Sequence, residues 1–557
     1  MVGAVVENLS GRKLAVLGGL LVTAQVTCFL LGGIRTPAPS GTIQSLTTKC
    51  LDPVKDGSHD TWFIPWPTDR FGETLCERLE HIDEALGRNV TARQIVFASK
   101  LPHRKENATL DFSRWQQNLI GVLQVDVEYE PERNMAVLQV ELTMDLRLGY
   151  RNKRDSEWHL LAESTETRTL RCSVENSQKE EVMGLKRRHA YDCDMIPLFE
   201  LGNIHHDFYL LNIRLPSELM DGRKVNQNLG RLSDLTLTVI HGNGGFVKKW
   251  LAMKSAFLPI VSAAAAWFWA RVLKLHRAPS LLESMLLALG VALSVLNVPL
   301  ELLSLVFDTP WMPLVSDMRQ GLFYATLLSF WLVFAGEHLM DDVERNKLSE
   351  YRKNLLSVGL GCLSLFVFDM CERGTQLRNP FQSIWRTRVG ANCALAFIVM
   401  AAISAIVYFV FLSYLILKVF LNISSKRSAL PAMSSLRRMH YEGIIYRFKF
   451  LMLFTLLCAA MTVVSFIIGQ VSEGEWKWED DAQIDIQYTS AFFTGVYGMW
   501  NIYVLSLLAL YAPSHKRWPQ ESDTLSVSGE QLEFSRLPTE PTDAPGLQDL
   551  LQKQSLD

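Results

Sequence analysis

Apolar residues in this chain gather into long runs separated by polar stretches. A helix needs about 20 such residues to cross roughly 30 Å of hydrocarbon. Eight runs come near that length: Leu14–Ile34, Ala256–Leu275, Leu281–Leu303, Leu322–Leu339, Leu355–Cys371, Cys393–Val419, Phe450–Gly469 and Ser490–Tyr511. The third holds Glu301 and the fifth is short. The first lacks a small-x-small cleavage site and is long enough to stay in the bilayer, so it reads as an anchor rather than a removed signal.

Between the first two runs, over about 220 residues, the period changes from helical to two. Leu123, Val125, Val127 and Tyr129 alternate with Gln124, Asp126 and Glu128. Leu138, Val140, Leu142, Met144, Leu146 and Leu148 alternate with Gln139, Glu141, Thr143, Asp145 and Arg147. Such alternation turns one face to a core and the other to water. Pro131–Asn134 reads as a hairpin connection between these two strands, and Thr74–Leu86 as a short helix. Further strands are expected at Gln94–Ser99, Leu160–Val174, Phe208–Leu215 and Leu235–Ile240. The expectation is a multi-pass α-helical membrane protein of eight spans carrying an antiparallel β-sandwich domain.

Basic residues at span ends orient the chain. Arg12 and Lys13, Arg271, Lys274 and Arg277, Arg345 to Lys353, Lys426 to Lys449, and Lys516 with Arg517 fall on one side, the cytosolic one. The acidic segment Glu473–Asp485 falls on the other. One loop dissents: Arg373, Arg378, Arg386 and Arg388 lie on the far side. The predicted division is a cytosolic N-terminus (1–13), an anchor (14–34), an extracytosolic β-rich domain (35–250), seven spans (251–511) and a cytosolic tail (512–557), disordered on its Ser-, Pro- and acid-rich composition.

Composition adds exclusions. Of 557 residues 48% are apolar and 20% charged, and the net charge of -3 gives no affinity for nucleic acid. Four of nine cysteines, Cys50, Cys76, Cys172 and Cys193, lie in the extracytosolic segment. An even number there predicts two disulfides in one of three pairings, nearest-neighbour pairing being preferred. Asn89 and Asn107 head glycosylation acceptors on that same side, whereas Asn8 and Asn422 face cytosol.

Candidate chemistry is sparse. His205-His206-Asp207 would point to opposite faces of a strand and is read as surface histidines, not a metal site. No zincin helix, nucleophile elbow or phosphate loop appears, and no enzyme is predicted. Ionisable residues in hydrocarbon need an interior, a partner or water. Glu301, Asp317, Arg319, Asp369, Glu372 and Arg373 are all expected near the extracytosolic rim, as an ion-paired ring at the mouth of a cavity. Tyr441-Glu442-Gly443-Ile444 has the spacing at which an extended peptide fills two pockets of a cargo adaptor, within a cytosolic loop.

Several long strings resemble the Wntless family: TWFIPWP at Thr61–Pro67, FYLLNIRLP at Phe208–Pro216, HGNGGFVKKW at His241–Trp250, DMRQGLFYATLLSFWLVFAGEHLMD at Asp317–Asp341, FDMCERG at Phe368–Gly374, LPAMSSLRRMHYEGIIYRFKFLML at Leu430–Leu453 and SAFFTGVYGMWNIYVLSLLALYAPSHK at Ser490–Lys516. The resemblance implies a carrier of lipid-modified Wnt proteins. Its last seven spans would be arranged like a G-protein-coupled receptor. They would take the mono-unsaturated acyl chain of the cargo, the one bound group expected, while the β-rich domain contacts the Wnt polypeptide. It implies a lipid pocket among spans four to seven, for which Tyr324, Asp369, Arg373 and Tyr503 are the candidates. Tyr441 and Ile444 then resemble the family's endocytosis signal, read by a clathrin adaptor. Residence in Golgi, endoplasmic reticulum, plasma membrane and endosomes, with retrieval by retrograde sorting machinery, is implied as well. The ending Lys553-Gln554-Ser555-Leu556-Asp557 matches the retrieval tail only weakly. A seven-span signalling receptor and a lipid transporter are the alternatives.

Overall fold

The computed structural model describes residue 5 and residues 11–53, 61–65, 76–82, 84, 88, 90–103, 110–128, 137–174, 191–219, 222–338, 348–429, 445–446, 448–461, 464 and 488–514. Asn89, Asn107, Tyr441, Ile444 and the tail beyond Ser514 lie outside them. Helix α1 (Gly11–Arg35) leads into eleven strands: β1 (Ser40–Leu46), β2 (Thr48–Leu51), β3 (Glu77–Arg78), β4 (Ile95–Leu101), β5 (Leu119–Glu128), β6 (Val137–Arg151), β7 (His159–Val174), β8 (Tyr191–Cys193), β9 (Ile196–Leu201), β10 (Phe208–Arg214) and β11 (Arg231–Gly242).

Two sheets form, ordered β1-β11-β5-β9 and β3-β2-β4-β10-β6-β7-β8, and their pairings are antiparallel. Both contribute to one apolar core: Leu123, Val125, Leu237 and Val239 from the first, Leu142, Leu146, Leu211 and Ile213 from the second. The period-two patterns are what turn these rows inward. The expected β5–β6 hairpin is not found. β5 pairs with β11 and β9 while β6 pairs with β7 and β10, so the two strands belong to different sheets. Each strand buries its apolar row from an opposite layer, which a shared ladder would prevent.

The expected helix at Thr74–Leu86 is corrected at Glu77–Arg78, which is strand, while Glu84 is helical. Cys76 bonds Cys50, and this bond holds Glu77–Arg78 extended against β2. Cys172 bonds Cys193 directly across the β7–β8 ladder.

The chain passes from β11 into helix at Asn243, whose side chain accepts from the Gly245 amide and caps the helix. The helical part therefore begins well before residue 251. It comprises α2 (Gly244–Leu273), α3 (Leu281–Asn297), a 3₁₀ turn (Leu300–Leu305), α4 (Met312–Glu337), α5 (Arg352–Arg378), α6 (Arg388–Ala429), α7 (Phe448–Met461) and α8 (Tyr488–Leu510). Among the described residues six helices are long and apolar enough to cross a membrane: Arg12–Arg35, Gly244–Leu273, Leu281–Leu305, Arg352–Arg378, Arg388–Ser425 and Thr489–Leu510. The other two expected spans coincide with α4 and α7. α4 starts at Met312 instead of Leu322, with Pro313 in its first turn, and so takes Asp317 and Arg319 into its body. α7 is described over 14 residues.

Val261, Phe268, Leu289, Phe323, Phe330, Phe334, Phe448, Tyr503 and Leu507 build the bundle core. α1 lies on α8 through glycines: a Cβ at Gly495 would sit 2.1 Å from the Phe29 ring, and one at Gly498 would sit 2.6 Å from Cys28 Sγ. Only Gly allows helices this close. The Val5 amide donates to Ala512 O at 3.0 Å, which brings the two ends of the helical region together. α5 and α6 share a smaller core with α4, made by Leu332, Ala335, Val358, Tyr408 and Leu415.

Candidate functional site

Polar side chains concentrate where the β-rich domain meets the helices, and they do so for local reasons. Pro299 disfavours helix at Val298, so α3 ends at Asn297 and the Val298 carbonyl is left without a helical donor. Arg319 of α4 supplies one through Nη1, and its Nη2 reaches Glu301 Oε1 at 2.9 Å. Lys254 of α2 meets the same oxygen at 2.6 Å. The three side chains are at most 7% exposed. Beside them Tyr497 donates to Asn297 Oδ1, and Asn297 donates to Asn501 Oδ1 at 2.7 Å. This is a buried polar network that joins α2, α3, α4 and α8.

A second cluster spans the domain junction. Arg373 of α5 pairs with Glu200 of β9 and lies 3.9 Å from Asp317 of α4. Gln376 donates to Glu200 Oε2 at 2.9 Å. Asp369 sits one helical turn before Arg373 and is half-buried. Glu372 faces its own chain, accepting from the Ile384 amide at 2.9 Å and from Ser383 Oγ at 3.0 Å. The expected single ring of Glu301, Asp317, Arg319, Asp369, Glu372 and Arg373 is thus two groups, Glu301 with Arg319 inside the bundle and Asp317, Asp369, Arg373 and Glu372 at the junction, where Gln376 also donates to Glu372 Oε1 at 3.1 Å. Arg319 is drawn inward by the broken helix, Arg373 outward by the β-rich domain, and Glu372 to the turn that follows it.

The four pocket candidates do not converge either. Tyr503 is fully buried in the bundle core, where Trp331 Nε1 donates to its oxygen at 3.1 Å and Thr455 lies at 2.8 Å. Tyr324 is 39% exposed on the outer face of α4. Only Asp369 and Arg373 share the junction. Sequence reasoning missed Lys254 and Glu200. Lys254 stands just ahead of an apolar run and looks like a border lysine, while Glu200 belongs to a six-residue strand with no alternation to mark its facing.

Between Glu200 and Arg373 on one side and His205, His206, Asp308 and Trp311 on the other lies a cleft of about 180 Å³. His206 stacks on Tyr150 at 3.8 Å and meets Asn152 Oδ1 at 3.1 Å. Burial, and then the neighbouring His205, push the His206 imidazole below its ordinary value. Burial pushes the Tyr209 phenol up to about 12. Among the described residues no three His, Cys, Asp or Glu side chains gather to hold a metal ion. What the junction offers is charge pairing and apolar contact, and farther along the same two helices lie exposed apolar residues: Leu356, Leu360 and Leu363 of α5, and Ile403, Ile406 and Phe409 of α6.

These features define a multi-pass membrane protein whose extracytosolic β-rich domain is fastened to its helices. Comparison with known proteins gives the family. The model of the Wntless GOLD domain matches residues 48–242, and that of the Wntless-like transmembrane domain matches residues 243–515. Curated relatives are the protein wntless of Drosophila mojavensis and of Drosophila virilis, each 49% identical over 577 aligned positions with both chains fully covered. That of Drosophila persimilis is 50% identical over 558, with 97% of each chain covered. The chain belongs to the Wntless family. The change from one matched domain to the other falls between Gly242, where β11 ends, and the cap Asn243.

Proposed function

We propose that the chain is a cargo receptor that binds acylated Wnt proteins, shields the lipid and carries them through the secretory pathway to the cell surface. The observation that carries this reading is membership of the Wntless family along essentially the whole chain. The physical need is plain. An acyl chain adds about 0.8 kcal/mol of transfer free energy per buried CH₂, so an unshielded cargo clings to membranes. A bundle with wide apolar outer faces, topped by a domain able to hold protein, meets that need.

In this reading the β-rich domain is a two-layer sandwich that contacts the Wnt polypeptide, and the helices make eight spans, with α4 and α7 counted. The extracytosolic domain (35–250) and the seven-span bundle (251–511) keep their division, moved to Asn243 at the joint. The tie between Val5 and Ala512 supports termini on one side, the cytosolic one. Asp369 and Arg373 sit where the acyl-bearing loop would enter, and Tyr503 lies deeper. Asn89 and Asn107 carry glycans. After release the carrier returns from the plasma membrane through endosomes to Golgi and endoplasmic reticulum, using Tyr441 and Ile444 with a clathrin adaptor, and retrograde sorting machinery.

The test is recovery of a Wnt protein with the purified chain, compared with the same Wnt lacking its acylated serine. The acylated form is expected to dominate. Equal recovery of both would overturn the lipid-carrier reading.

A further inference from the structure

The loop joining α5 to α6 departs from the bilayer and enters the β-rich domain. Phe381 is 1% exposed and packs inside the core shared by the two sheets, edge-on to Phe199 of β9 at 6.1 Å. Among the described residues it is the one member of that core from outside the β-rich domain. Its neighbours are bonded on both sides of the insertion. The Glu200 amide of β9 donates to Pro380 O at 3.0 Å, and Asn379 Nδ2 donates to Glu163 O at 3.2 Å. Arg168 of β7 donates to Phe381 O at 2.7 Å. Arg386 pairs at 2.8 Å with Glu166, a carboxylate wholly removed from solvent on β7. β7 and β9 belong to different sheets, so the loop closes the gap between them.

By contrast α5 is thinly held within the bundle. Of its 27 residues only Val358 and Ser364 are buried. α6 joins the main bundle core near its far end, through Val419 and Ile423, and touches α4 through Tyr408, which donates to Leu328 O at 3.2 Å. The extracytosolic half of the α5–α6 pair is therefore fastened to the β-rich domain more than to neighbouring helices. This placement also accounts for arginines on the side of the membrane where basic residues are scarce: Arg373 and Arg386 are there to pair with Glu200 and Glu166.

We infer that Phe381 and Arg386 latch the α5–α6 pair to the β-rich domain, so that a protein bound on that domain shifts α5 against α4. The inference deepens the cargo-receptor reading, and rests on it for the identity of the protein that pulls. The latch itself is testable without cargo. Cysteines introduced as Leu322→Cys on α4 and Leu363→Cys on α5, both exposed positions, carry spin labels in the full chain in lipid nanodiscs, with its five cysteines outside the disulfides replaced by serine. The parent is expected to give one narrow distance distribution. Phe381→Ala, and separately the shape-conserving pair Glu166→Gln with Arg386→Gln, are expected to broaden it. Hydrogen exchange at the Glu200 amide should also quicken, by roughly two orders of magnitude for the Phe381 variant. A narrow parental distribution in both variants would overturn the latch. Adding acylated Wnt should then shift the parental distribution and leave the variants unmoved, whereas equal shifts in all three would overturn the coupling. A parent that binds no Wnt at all would refute the cargo-receptor reading and leave the cargo-free result to decide the latch.

Discussion

Glu301→Gln is the sharpest perturbation of the bundle, because one oxygen of Glu301 meets two cations. Lys254 and Arg319 are 3% and 6% exposed, and the distances are 2.6 Å and 2.9 Å. The substitution keeps the shape and removes the one negative charge of the cluster, so two buried cations are left facing a neutral amide. Breaking a buried ion pair by removing one partner costs about 3–5 kcal/mol. At about 1.4 kcal/mol per tenfold, this is a change of roughly one hundredfold to a few thousandfold in the folding equilibrium. Reversible unfolding of the full chain in mixed micelles measures it. Adding Lys254→Met to Glu301→Gln removes one stranded charge and is expected to recover part of the loss, since Arg319 keeps the Val298 carbonyl. If Glu301→Gln unfolds within about 1 kcal/mol of the parent, water reaches the cluster and its place as a buried strut is wrong.

Other consequences are specific to single residues. Asn212 brackets the Phe63 backbone, accepting from its amide and donating to its carbonyl, each at 3.1 Å. Asn212→Ala should cost about 1–3 kcal/mol and speed hydrogen exchange at residues 61–65, and unchanged exchange there would contradict the clamp. His206 is held below its ordinary value, so below about pH 6.5 the unfolded chain binds the extra proton first. Stability of the β-rich domain is then full above that pH and falls as acid is added through the window down to the folded value. His206→Phe, which keeps a ring against Tyr150, should flatten that part of the unfolding-versus-pH curve. Tyr441→Ala should raise the surface population of the carrier by slowing uptake, and a normal uptake rate would remove the sorting role.

Much of this was legible because it follows from periodicity. The run of apolar residues from Leu14, the alternations Leu123–Tyr129 and Leu138–Leu148 and the four extracytosolic cysteines each point to their element or bond locally. What was not legible depends on partners distant in sequence. Nothing near Pro131 says that β5 and β6 join different sheets, because both strands bury the same kind of row. Lys254 looks like any border lysine until Pro299 breaks α3 and brings Glu301 to it. Phe381 sits in a loop, and its burial comes from a gap between sheets built some 200 residues earlier. Arg373 and Arg386 contradicted the topology for the same reason, since the carboxylates that pair with them, Glu200 and Glu166, belong to another domain.

The central claim is that the acyl chain of the cargo is held by the helices while the polypeptide is held by the β-rich domain. The most direct measurement is the dissociation constant of the full chain in nanodiscs for an acylated Wnt and for the same Wnt with its acylated serine replaced. Burying even five CH₂ groups at about 0.8 kcal/mol each amounts to roughly a thousandfold. A ratio of that order or larger is predicted. Equal dissociation constants would contradict the account.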